Sequence, residues 1–437
     1  MTSRHTVREP FAGRGAALVL ALLLAPLVLL LAPPADAVGS LCLPKPDSAC
    51  VAGTLRSDKG VVPGVDITIT GADGQAQTVT TGDDGKWNVE LSKQGSYVVK
   101  IDESTLPKDL AVKVAQVKVI AKFGATRGAV VEVRTSSYQA KETKADELIQ
   151  SSANGIRLGL LLALASIGLS LIYGTTGLSN FAHAEQVTLG GILGYALINQ
   201  RGMGLWLGGL LVVVICAFTG WFQDRVMWQP LRRRGLGLAQ LMIVTIGLSL
   251  AMQYAFQFFV GARTVRVVKD NPSVRSVGPI TMTNQSFVAM AIAIVVLAAV
   301  GYALLRTRIG RATRAVSDNP ALAAASGIDV DRVIRLVWTV SMALAGLSGL
   351  LYALVTNGIK WDSGMQILLL LFAAVTLGGL GTAFGALVGS IIIGLVVELS
   401  PVLGMPGDFK YATALLILIL LLLVRPQGLL GRPERVG

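Results

Sequence analysis

Charged residues make up only 15% of the 437-residue sequence, aromatics 6%, and there are two histidines and three cysteines. So few charges beside 53% apolar residues exclude a chain built around one water-facing core. The mean hydropathy of +0.63 instead implies several membrane spans. His5 lies in an N-terminal leader, so the mature chain keeps one histidine and a multi-histidine metal site is excluded. His183-Ala184-Glu185 has the H-x-E spacing of zinc deaminases, but no P-C-x-x-C comes after it. No G-x-x-x-x-G-K-[ST] occurs, so the chain has no phosphate-cradling loop. It is expected to need no cofactor itself; any ATP that drives it is used by another polypeptide. The formal net charge of +12 does not point to nucleic acid. Basic and acidic residues balance between Val38 and Gln150, and the excess arginines elsewhere sit at the ends of apolar runs, as the positive-inside rule of membrane proteins explains.

Arg4, Arg8 and Arg14 precede an apolar run from Ala16 to Ala32, and Ala35-Asp36-Ala37 offers a cleavage site. Residues 1–37 therefore read as a secretory signal, or as an uncleaved anchor, and the segment beyond residue 37 is delivered outside. Cys42 and Cys50 lie close together in that exported segment, where a small disulfide is expected and two free thiols are the alternative. From 38 to 135 the pattern turns to short alternating strands, V-D-I-T-I-T, K-W-N-V-E-L, Y-V-V-K-I and V-V-E-V-R, separated by G-A-D-G and G-D-D-G turns. They predict an antiparallel sandwich. Asp83 and Asp84 fit a turn before Gly85 or, less plainly, a calcium site. The order G-T-L, P-G-V-D-I-T-I-T, T-G-D-D-G-K-W, G-S-Y-V-V is similar to carboxypeptidase regulatory-like domains, which implies a fold and names no ligand.

Residues 136–153 are polar and read as a linker. Apolar runs then predict spans near Gly155 to Tyr173, Leu178 to Ile198, Leu205 to Phe222, Leu236 to Val260, Phe287 to Leu305, Val333 to Thr356, Met365 to Leu380, Ala383 to Leu399 and Tyr411 to Val424. The fold class is thus a polytopic α-helical membrane protein with an N-terminal extracytoplasmic all-β sandwich domain. If the first span enters from outside, Arg232 to Arg234, the 306–332 stretch and the tail 431–437 all face the cytoplasm. Arg263, Arg266, Lys269 and Arg275 then fall outside, against the rule, and a re-entrant Leu178 to Ile198 would change the parity.

The stretch from Arg306 to Gly327 interrupts this greasy half. Asn319 or Asp318 can cap a helix, Pro320 suits its first position and Gly327 the residue just past its end, so a short helix is predicted from Pro320 to Ser326. Its outer face would be mostly alanine with Leu322 and Ile328, a shape suited to a groove on a soluble partner; an ordinary solvated loop is the alternative. The motif A-V-S-D-N-P-A-L-A-A-A-S-G-I-D-V, continued by S-M-A-L-A-G-L-S-G-L-L-Y-A, resembles the coupling-loop region of branched-chain amino acid ABC transporter permeases. G-L-S-L-I-Y-G-T-T-G-L-S-N-F-A-H-A-E, from Gly168 to Glu185, resembles that family's early membrane signature, although the family usually has glycine where this chain has Ala184. The resemblance covers 154–430. It implies ABC ATPase subunits that grip Asp318, Asn319, Ala323, Ala324 and Gly327 and use the ATP, a second permease subunit, an extracytoplasmic solute-binding protein and surrounding membrane lipid. The solute it implies is a branched-chain amino acid or a related small polar molecule.

Within the spans, Asn180, His183 and Glu185 either line the solute path or brace packing by interhelical hydrogen bonds. Asn180 and His183, three apart, could share a helix face, whereas His183 and Glu185 could not pair. Cys216 reads as a packing residue, and glycines four apart, such as Gly155 with Gly159 and Gly190 with Gly194, mark close helix contacts. Two alternatives to an ABC permease stand: an ATP-independent channel for small amides such as urea, and an intramembrane serine protease built on Gly346-Leu347-Ser348-Gly349. The protease reading requires a base positioned beside Ser348.

Overall fold

Alternation of apolar and polar residues dictates the first unit, and long apolar runs the second, with the boundary between them at Thr143 and Lys144. The computed structural model describes residues 48–431, apart from 58–59, 72–74, 108–109, 113–115, 122–125, 129–132, 136–143, 270–273, 406–408 and 426. The leader and Cys42 lie outside the described residues; Cys50 is held in a disulfide.

The first unit contains β1 (Ala49–Thr54), β2 (Arg56–Ser57), β3 (Gly60–Val61), β4 (Asp66–Gly71), β5 (Ala76–Thr80), β6 (Lys86–Leu91), β7 (Gly95–Ile101), β8 (Leu110–Val112), β9 (Gln116–Ala121), β10 (Thr126–Gly128) and β11 (Val133–Thr135). One antiparallel sheet runs β5-β4-β7-β9, and another runs β10-β1-β6 with β1 and β10 parallel. Three of the expected strands are β4, β6 and β7. Of V-V-E-V-R only Val133 and Arg134 lie in described strand. Inward residues of both sheets, Ile67, Ile69, Val99 and Ile101 with Val51, Trp87, Val89 and Leu91, form one core. Each such aliphatic side chain contributes about 1.5–3 kcal/mol by leaving water. The Asp83-Asp84 pair forms the turn before Gly85, whose φ is +69°. The Asp84 carboxylate accepts the Lys86 amide at 3.0 Å and the Lys86 ammonium at 2.7 Å, which holds its pKa below the ordinary carboxylate value.

The second unit begins earlier than the sequence pattern predicts. Residues 144–153, read as linker, form the first turns of α1 (Lys144–Thr176), because strong helix formers continue the run and Asp146 and Glu147 oppose the positive end of its dipole. Then come α2 (His183–Gly194, prolonged through wide π turns at Tyr195–Gln200), α3 (Leu205–Gln223, prolonged to Arg233), α4 (Leu238–Val260), α5 (Asn284–Arg306), α6 (Arg308–Asp318), α7 (Pro320–Ala325), α8 (Val330–Val355), α9 (Ser363–Gly378), α10 (Ala383–Leu399) and α11 (Lys410–Val424). Among the described residues five helices, α1, α3, α4, α5 and α8, are long and apolar enough to cross a membrane. α9, with 16 residues, spans about 24 Å, less than the roughly 30 Å hydrocarbon core. Every expected span is met by a helix, but the second begins only at His183. Between α4 and α5, β12 (Val274–Val277) and β13 (Ile280–Thr283) form a hairpin that Gln150 of α1 ties down by bonds to both the N–H and C=O of Thr281.

Helix contact here rests on small residues. A Cβ on Gly155 would stand 2.8 Å from Leu395 Cα, and one on Gly159 2.7 Å from Ile391 Cα, so α1 and α10 touch backbone to backbone. Gly190 of α2 meets the Gly346 backbone of α8, and Gly346 meets Cys216 of α3, so α2 is enclosed and every residue from His183 to Gly194 is buried. Gly204 has open space around it and takes no part in this packing.

Candidate functional site

The connection from α5 to α8 is built from local caps. Thr307 accepts from the Gly310 amide at 3.1 Å and starts α6, which turns Gly310, Thr313 and Val316 inward and Arg308, Arg311 and Arg314 outward. α6 is not among the helices predicted from the sequence pattern. Its signal is nonetheless legible, since R-I-G-R-A-T-R-A-V carries arginines on one helical face and small or apolar residues on the other. Asn319, in extended conformation (φ −159°, ψ 100°), then accepts the Leu322 amide at 2.9 Å and caps α7, with Pro320 in its first turn. Asp318 is not the cap, because it is the last residue of α6 and helical. α7 ends at Ala325, with Ser326 as C-cap. Gly327 turns the chain out at φ +85°, and the Ile328 amide returns to the Ala323 carbonyl at 3.0 Å. Asp329 caps α8 through the Arg332 amide at 2.9 Å.

One expected role changes. Ala323, placed by the resemblance on the partner-facing side with Ala324, is 3% exposed and pins α7 to its own fold. A single helical turn cannot send both residues outward when position 323 supplies the anchor. The outward surface consists of Leu322, 64% exposed, with Ala321, Ala324 and Ala325.

The first turns of α8 are bound to the end of α3 by a network of ion pairs and hydrogen bonds that the sequence pattern does not predict. Asp224, fully buried, pairs with Arg232 at 2.8 Å and Arg335 at 3.5 Å. Asp331 pairs with Arg233 at 2.8 Å and accepts from Gln229 at 2.8 Å, and Gln229 in turn accepts from Arg335 at 2.8 Å. Trp228 stacks on Trp338 with ring centroids 5.1 Å apart. Wide π turns at Asp224–Trp228 direct both Asp224 and Trp228 inward. The available signals were an aspartate ending an apolar run and an Asp331/Arg335 pair one helical turn apart.

Deeper in the membrane unit, Asn180 and His183 do not share a helix face. Asn180 precedes the helix, and its Oδ1 and C=O accept from the amides of Ala182 and His183, at 3.1 and 3.2 Å, so it builds the turn that starts α2. His183 Nε2 lies 2.9 Å from the Ala165 carbonyl of α1. The buried Glu185 carboxyl lies beside the Thr188 and Ser249 hydroxyls. Ser348 donates to the Leu161 carbonyl at 2.7 Å, an α8–α1 brace, and among the described residues it makes no hydrogen bond to His183, the base the proteolytic alternative would need. Among the described residues no group of three or more His, Cys, Asp or Glu is placed to hold a metal ion.

A family model described as the branched-chain amino acid transport system / permease component matches residues 151–424. The chain is 32% identical over 303 residues to the high-affinity branched-chain amino acid transport system permease protein LivH of Escherichia coli (strain K12), an alignment covering 65% of this chain and 96% of that protein. It is 28% identical over 305 residues to the corresponding protein BraD of Pseudomonas aeruginosa, with the same coverage of 65% and 96%. To the probable branched-chain amino acid transport permease protein LivH of Methanocaldococcus jannaschii it is 30% identical over 285 residues, 62% of this chain and 89% of that one.

Proposed function

Because the chain belongs to the branched-chain amino acid ABC permease family, we propose that it is the membrane subunit through which an ABC importer takes up branched-chain amino acids or closely related small polar solutes. An extracytoplasmic binding protein delivers the solute, a second permease subunit completes the path, and partner ATPases supply the energy. The observation that carries the reading is α7, a capped turn of helix presenting Leu322 outward and set between two membrane-length helices, α5 and α8. An ATPase that grips α7 pulls on both helices, and the Asp224–Arg335 network passes the displacement to α3 as a rigid-body movement. In this orientation the arginines of α6 and Arg232 to Arg234 face the cytoplasm, and the sandwich stands outside.

The orientation and the docking are tested together. Leu322→Cys is to be treated with a membrane-impermeant thiol reagent, against the low background of buried Cys216 and disulfide-held Cys50. Labelling only after permeabilisation, and protection by a co-expressed ATPase subunit, are the expected results. Labelling of intact cells would sink the proposal, and solute uptake by the purified chain without any ATPase would favour the channel alternative.

A further inference from the structure

α6 lies across the ends of two membrane spans. At its start, a Cβ on Gly310 would overlap the carbonyls of Ala303 and Leu304 in the last turn of α5. Near its end, a Cβ on Gly174, in the last turn of α1, would stand 2.9 Å from Ser317 Oγ. Both ends of the helix are therefore level with the place where a span leaves the bilayer, and its 11 residues run about 16 Å along that surface. α5 is the least enclosed of the five membrane-length helices, and its last turns leave Tyr302 67% and Leu305 50% exposed. The lipid-facing surface of α5 thus runs directly into α6. There Ile309 is 56% exposed, and Arg306, Arg308, Arg311 and Arg314 are all exposed. Arg308, Arg311 and Arg314, three apart, form one stripe opposite the buried Gly310, Thr313 and Val316. Among the described residues none of the four arginines is paired with a carboxylate; Arg311 donates to the Arg306 carbonyl at 3.5 Å. Asp318, the one carboxylate of α6, comes at its last residue.

We propose that the arginine stripe of α6 is a binding site for the phosphates of anionic phospholipids in the leaflet it adjoins, and that this contact restrains α6 and α7 against the membrane. A guanidinium offers paired N–H donors and a permanent charge, the complement of a phosphodiester's oxygens. The helix has the form of one that lies in the headgroup layer, basic on one face and small or apolar on the other. The partner proposed for α7 meets Leu322 and alanines, so the two helices offer different chemistry to different neighbours. Only Asn319 separates α6 from α7, so lipid bound to one restrains the other. The proposal rests on the orientation given above, which puts the stripe at the cytoplasmic leaflet, where anionic lipid sets a negative surface potential.

The test titrates the purified full-length chain in detergent with radiolabelled phosphatidylglycerol or phosphatidylcholine and counts the lipid retained after gel filtration. Wild type should bind phosphatidylglycerol more tightly than phosphatidylcholine. Each arginine at the surface contributes about fivefold, so Arg308→Gln, Arg311→Gln and Arg314→Gln combined should weaken phosphatidylglycerol binding about tenfold or more and leave phosphatidylcholine unchanged. Lysine at the same three positions should restore most of the binding, which separates charge from shape. Salt at about 1 M, where the Debye length falls to about 3 Å, should abolish the wild-type preference. Equal phosphatidylglycerol binding by wild type and the triple glutamine variant overturns the site. Displacement of the lipid by inorganic phosphate at equal concentration also overturns it, marking a free-anion site instead. Weaker ATPase-subunit binding in the variant, with lipid binding unchanged, assigns the stripe to that partner and overturns it too. With ATPase and binding-protein partners present, leucine uptake in vesicles of equal parts phosphatidylcholine and phosphatidylglycerol should exceed uptake in phosphatidylcholine alone. The variant should lose that gain, and an equal gain in the variant refutes the restraint on α7. Lipid binding is read without transport, so its failure leaves the importer reading standing, whereas external labelling of Leu322→Cys sinks the orientation and leaves the binding intact.

Discussion

Replacing Asn319 by alanine isolates the cap of α7. Its backbone, at φ −159° and ψ 100°, suits alanine without strain, so the substitution removes the bond from the Leu322 amide and little else. Loss of an N-cap side chain costs about 1 kcal/mol, within a range of about 0.5–2. α7 has six residues, far too few to persist by helix propensity alone. Its only buried side chain is Ala323, whose methyl group contributes about 0.8 kcal/mol, so the cap is as large a restraint as the packing. A change of about 1 kcal/mol shifts the folded population of the turn roughly fivefold. Asn319→Ala should therefore weaken ATPase-subunit binding about fivefold and raise the ATP spent per solute imported, while Asn319→Asp and Asn319→Ser, which keep an acceptor, stay near wild type. The assays are affinity for the ATPase subunit in detergent and the coupling ratio in proteoliposomes. Wild-type coupling in Asn319→Ala, or an equal loss in Asn319→Ser, would refute the reasoning.

Two further substitutions probe what holds α8 and α2 in place. Asp224→Asn leaves Arg335 without its carboxylate and Arg232 with only the more distant Asp331, 3.9 Å away. With both side chains 20% exposed, the loss should be about 2 kcal/mol, below the about 3–5 kcal/mol of a fully buried pair, read as a lower thermal midpoint in detergent. Combining it with Arg335→Gln should be distinctly less than additive, and full additivity would show that the two groups do not interact. Gly190→Ala drives a methyl into the Gly346 backbone and should cost about 1–3 kcal/mol by overpacking, with Gly204→Ala, which meets nothing, as its neutral control; equal stability of the two variants would contradict the close α2–α8 contact.

Local chemistry made much of the architecture legible. The strands β4, β6 and β7 arise from period-two alternation, the membrane helices from unbroken apolar length, and α7 from Asn319, Pro320 and Gly327, because each signal acts within a few residues of itself. The same logic reaches α6, whose two-faced pattern is present in the arginine spacing. The inward turn of Ala323 and the Asn180 turn ahead of α2 were not readable in this way. A one-turn helix shows no periodicity, and a polar residue beside a helix can cap it or belong to it with equal ease.

Sequence alone determined where the chain leaves water and where it is capped, since hydrophobic length and backbone conformation belong to neighbouring residues. Tertiary structure alone decided which polar groups meet. Gln229 and Arg335 bond across 106 positions, Gly364 and Thr188 across 176, and the Glu185 carboxyl meets the Ser249 hydroxyl only where α2 packs against α4. Those contacts depend on which helices approach closely enough to touch, and that is fixed by where small residues remove the side chains between them.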